Sequence, residues 1–128
     1  MAVTGTALAI AAQASAPAAD AELIRLCDRI VALEAAYDAT CAGARTHAEE
    51  RAAAPQLEAI SEEIDEAMDL INGLRPQTYA GLQAMARAAF AGADKNREGG
   101  MLVDDEADWL AAAVIEHLAG KTPTGAAL

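Results

Sequence analysis

The chain holds 128 residues, 36 of them alanine, with 20 acidic and 9 basic side chains and a formal net charge of -11. That length suits one domain, and so few, scattered basic residues argue against direct nucleic-acid binding. Two cysteines exclude a disulfide scaffold, and 54% hydrophobic residues is too many for a wholly disordered chain.

Residues 1–19 carry no charge and read as a low-complexity arm. The other reading is a secretory leader with a small-residue cleavage site near Ala12–Gln13–Ala14, but a positive n-region is missing. The run is too short and too rich in Thr, Gln and Ser for a membrane span. Asp20 then offers an N-cap, and Leu23, Cys27, Ile30, Tyr37 and Cys41 recur at helical spacing. The pattern predicts a first helix over 20–52, ended at the latest by Pro55, with Thr40 to Gly43 as its weak point. A stripe that long suggests a homodimer seam along Leu23, Cys27, Ile30, Tyr37 and Cys41, which Leu23→Asp or Ile30→Asp should weaken. Cys27 and Cys41 are read as small buried residues, too far apart along one helix for a disulfide.

Pro55 suits a first helical position, so a second helix is expected over 56–73, with Leu57, Ile60, Ile64, Met68 and Ile71 inward and Gly73 as its stop. Its other face carries Glu58, Glu62, Glu63, Asp65, Glu66 and Asp69 with no basic residue between them. Several of these acids repel one another at four-residue spacing, so apolar packing must hold the helix. Thr78 caps a third helix over 78–91. Its expected apolar positions are Tyr79, Leu82, Met85, Ala86, Ala89 and Phe90, and Gly81, Ala84, Ala88 and Ala91 make it narrow. A polar loop over 93–103 leads to a fourth helix over 104–119, with Trp109, Leu110, Ala113, Val114 and Leu118 inward and Gly120 as its stop. The expected organisation is an arm at 1–19, one domain at 20–120 and a tail at 121–128. Its fold class is all-α: a small antiparallel helical bundle with a long first helix.

No constellation of catalytic residues stands out. A carboxylate-bridged metal centre needs Glu-x-x-His pairs, and neither His47 nor His117 completes one. Asp94, Asn96 and Glu98 with Gly99 resemble the opening of a calcium loop, but Leu102 stands where an oxygen ligand belongs and Asp105 where a bidentate glutamate belongs. No cofactor is expected. The six acids of the second helix are the candidate protein-binding surface, for a basic protein partner. The alternative is a small divalent-metal-binding module or enzyme using the 94–106 loop.

The segments Asp20–Cys27, Thr78–Ala89 and the Asp108–Trp109 pair resemble small helical proteins of alphaproteobacteria, often in prophage-like surroundings. The resemblance covers most of residues 20–119 and carries over no catalytic residue. It implies a cytoplasmic accessory protein of bacterial or phage origin. The alanine-rich arm and the strongly acidic second helix are where this chain departs from that pattern.

Overall fold

A computed structural model describes residues 19–103 and 106–121, with the backbone alone for residues 106–110 and Ala113. Among the described residues the fold is all-α, with four helices: α1 (Ala21–Gly43), α2 (His47–Asn72), α3 (Tyr79–Gly92) and α4 (Glu106–Leu118). Among the described residues there is no strand, only an isolated antiparallel bridge between Lys95 and Met101. No described helix is long and apolar enough to cross a membrane. All but Ala19 of the expected arm, and all but Lys121 of the expected tail, lie outside the described residues.

The first helix is long, but it ends at Gly43 and not at Ala52. Ala44 turns extended at φ -94°, ψ 98°. Thr46 then caps a new helix, its Oγ1 accepting from the Glu49 amide at 3.2 Å. Glu49 reaches back to accept from the Arg45 amide at 2.7 Å. The Thr46-x-x-Glu49 pair is a variant of the reciprocal capping box, and it starts α2 eight residues before Pro55. Pro55 sits inside α2, where it leaves the Arg51 carbonyl without its helical donor. Both residues are exposed, so water can serve that carbonyl. Thr46→Ala should cost about 1 kcal/mol, read as a lower urea midpoint.

The short 44–46 link folds α1 and α2 into an antiparallel hairpin. α3 packs on the other flank of α1, and α4 packs on α3. α3 runs parallel to α1, as two anchors with the same offset of 58 residues show. Asp20 meets Thr78, and Glu34 meets Gly92. The core is formed by Leu23, Leu26, Cys27 and Ile30 of α1, Ala67 and Ile71 of α2, and Ala84 and Ala88 of α3.

The narrow face of α3 is the inward one. Gly81, Ala84, Ala86 and Ala88 are buried, whereas Tyr79 is 61% and Leu82 40% exposed. At Gly81 the Asp20 side chain leaves no room even for a Cβ, whereas Met85, also expected inside, packs partly buried against the core. On α4 the inward residues are Ala112 and Glu116, and Val114 is exposed. The side chains of Trp109, Leu110 and Ala113 lie outside the described residues. Gly120 ends α4 as expected, at φ +81°. Its amide donates to the His117 carbonyl, and the Lys121 amide to that of Glu116, as in a Schellman cap.

Candidate functional site

All six acids of the second-helix face are exposed. Glu63 pairs with Arg29 at 3.4 Å, with both side chains half exposed. Among the described residues no other acid of this face forms an ion pair. α2 can hold this unbalanced face in water because Ile60, Ala67 and Ile71 fix its opposite side to the core.

The rest of the expected apolar stripe of α2 is less covered. Leu57 and Ile64 are only partly buried, and Met68 is 50% exposed. Ile64 and Met68 line a groove of about 360 Å³ between α2 and α3, above α1. Cys27, Ile30 and Glu34 form its floor, Ile64, Met68 and Ile71 one wall, and Met85, Ala88, Ala89 and Gly92 the other. At 100° per residue, Asp65 and Asp69 follow Met68 around α2, so the acidic face begins at the groove's rim.

Glu34 also lines a second, larger cleft of about 670 Å³, together with Tyr37, Asp38, Arg87, Phe90, Lys95 and Lys121. The Glu34 carboxyl is shifted above the ordinary value, first by burial and then by Asp38, against the pull of Lys95. The absent Cβ of Gly92 makes room for it, since an added Cβ would stand 3.2 Å from Glu34 Oε1. Lys95 donates to the carbonyls of Phe90 and Ala93 at the end of α3. It lies 4.4 Å from the Phe90 ring centroid, and the Lys121 ammonium lies 5.6 Å from it. These contacts tie the α3 terminus and the chain after α4 to one aromatic ring.

The expected dimer stripe has a different fate. Leu23, Cys27 and Ile30 are 1–2% exposed inside the chain's own core, covered by α2 and α3. Tyr37 is partly buried beside the larger cleft, and Cys41 is exposed, contrary to the expectation of a buried residue. Both cysteines are free. Burial pushes the Cys27 thiol up, as does Asp28, against Arg87. At 1% exposure inside the core, this thiol serves as a packing group.

Asp20 makes no side-chain cap to its own helix. Its carboxylate, 1% exposed, accepts from the Gln77 amide at 3.1 Å, the Thr78 amide at 2.8 Å and the Thr78 hydroxyl. It thereby joins the starts of α1 and α3. The Thr78 hydroxyl and these amides hold its pKa below the ordinary 3.8, against the effect of burial. A carboxylate with a lowered folded pKa stabilises the fold above its unfolded value. That contribution is lost as pH falls from 3.8 through the lower folded value. Asp20→Asn should therefore lower the melting midpoint at pH 7 and flatten the loss of stability below pH 4.

In the loop read as a possible calcium site, side-chain oxygens are engaged by backbone amides. Asn96 Oδ1 accepts from the amides of Glu98 and Gly100, and Glu116 accepts from the Met101 amide at 2.8 Å. Among the described residues no three His, Cys, Asp or Glu side chains gather as a metal ion would require. His47 is exposed and 3.3 Å from Glu50, an ordinary neighbour on one helix face. Sequence reasoning missed Glu34 and the groove. The available signal was the equal spacing of Asp20 to Glu34 and Thr78 to Gly92, which sets two carboxyls of α1 against the ends of α3. No family model, curated protein or solved structure matches the chain.

Proposed function

We propose that the protein is a non-enzymatic interaction module that presents the acidic face of α2 to a basic partner protein. The observation supporting this is the face itself: Glu58, Glu62, Asp65, Glu66 and Asp69 are exposed and form no ion pair among the described residues, on a helix whose other side is fixed in the core. Such a surface attracts a cationic one over about 10 Å at moderate salt and fixes its orientation. A cytoplasmic accessory role, of the prophage-associated kind implied by the sequence resemblance, belongs to the same proposal.

The test is capture of partners from the native host with the original chain and with Glu58→Lys/Glu62→Lys/Asp65→Lys/Asp69→Lys. The variant should keep its helix content, because it reduces like-charge repulsion along α2. Its captured partner should fall away, and capture by the original chain should weaken as salt rises. Equal capture by both chains at low and moderate salt would refute the acidic interface.

A further inference from the structure

The groove beside α2 has a length, a chemistry and an asymmetry of charge that together specify an occupant. Its floor runs from Cys27 to Glu34, two turns of α1 and about 10 Å. That is the span of i, i+3/i+4 and i+7 anchors on a helix laid into a groove. Met68 and Met85, one on each wall, are unbranched side chains that adapt to the shape of what they cover. The two rims differ. On the α2 side the surface passes from Met68 to Asp65 and Asp69. On the α3 side, Ala89 lies on the same helix face as Leu82, one heptad earlier and 40% exposed, so that rim is apolar. Glu34 places one carboxyl at the end of the floor.

We infer that this groove is the socket for an amphipathic helix of a partner protein, apolar on the face it buries and carrying Lys or Arg on the flank that meets α2. A second copy of this chain fits less well: each copy carries a net charge of -11, and its own acidic α2 rim would repel it. The inference rests on the interaction reading above and adds the form of the partner: a helix with an apolar face, where the acidic surface alone accepts any basic one.

The probe is a labelled 18-residue Leu/Lys peptide with its leucines on one helical face, compared by fluorescence anisotropy with an isomer of the same composition whose leucines alternate. The helical-face peptide should bind at least tenfold more tightly than the isomer. Ala89→Trp, which fills the groove from an exposed position, should weaken it at least tenfold with an unchanged circular-dichroism spectrum. Met68→Glu, also at an exposed position, gives the same readout without added bulk. Asp65→Lys/Asp69→Lys should weaken binding and flatten its salt dependence. If both peptides bind alike and lose affinity only in Asp65→Lys/Asp69→Lys, the groove is not the socket, while the acidic interface stands. Failure of the helical-face peptide to bind, or binding indifferent to both Ala89→Trp and Met68→Glu, overturns the inference. Capture with the charge-reversed chain still decides the acidic interface separately.

Discussion

Leu23→Asp and Ile30→Asp are each expected to unfold the chain. Both positions are 2% exposed and lie among α1, α2 and α3. The described core offers no cation to pair with a new carboxylate there. Burying an unpaired charge places a substitution in the severe tail, about 4 kcal/mol or more. A domain of this size has a total stability of about 5–15 kcal/mol. The far-ultraviolet helix signal should collapse, or the urea midpoint should fall steeply. A variant that stays folded with an unchanged midpoint and only changes its oligomeric state would show that the stripe faces another chain.

Gly81→Ala should destabilise the protein although alanine is the better helix former. Propensity alone predicts a gain of about 1 kcal/mol. A Cβ at Gly81, however, would stand 2.1 Å from Asp20 Oδ2 and 2.7 Å from Asp20 Cγ. The carboxylate cannot retreat without giving up its bonds to Gln77 and Thr78. Overpacking of this kind costs about 1–3 kcal/mol, and the lost hydrogen bonds add to it. Gly43→Ala is the control, because nothing lies within 4 Å of its added Cβ. It should raise stability by a few tenths to 1 kcal/mol. Thermal melts of the two variants should shift in opposite directions, and a shared upward shift would refute the close α1–α3 approach.

The helical class, the caps at Thr78 and Gly120, and the narrow face of α3 are all legible in the sequence because each rests on local chemistry. The break between α1 and α2 is also local. Proline at position 55 is a strong stop signal, but Thr46 and Glu49 cap a helix earlier, and one proline in an exposed turn does not undo it. What the sequence hides is which apolar stripe covers which. Leu23, Cys27 and Ile30 look like surplus surface while α1 is read as one rod to residue 52. The break brings α2 back along α1, and the stripe is covered within the chain. Asp20 has the residue type of a helix cap, yet its bonds go to residues 57 and 58 positions away. The groove is hidden for the same reason. Ile64 and Met68 belong to one stripe with Ile60 and Ile71, and only the tertiary arrangement of α2 and α3 places them in a groove wall, Ile64 partly buried and Met68 half exposed. The acidic face of α2, by contrast, is visible from helical spacing alone.

Amide chemical-shift mapping of the full isotope-labelled chain, titrated with the helical-face Leu/Lys peptide, tests the binding account most directly. The shifts should concentrate on α2 between Glu58 and Ile71 and on Ile30, Glu34, Met85 and Ala89, and they should shrink as salt rises. Shifts centred on Tyr37, Phe90, Lys95 and Lys121, with α2 unmoved, would contradict it.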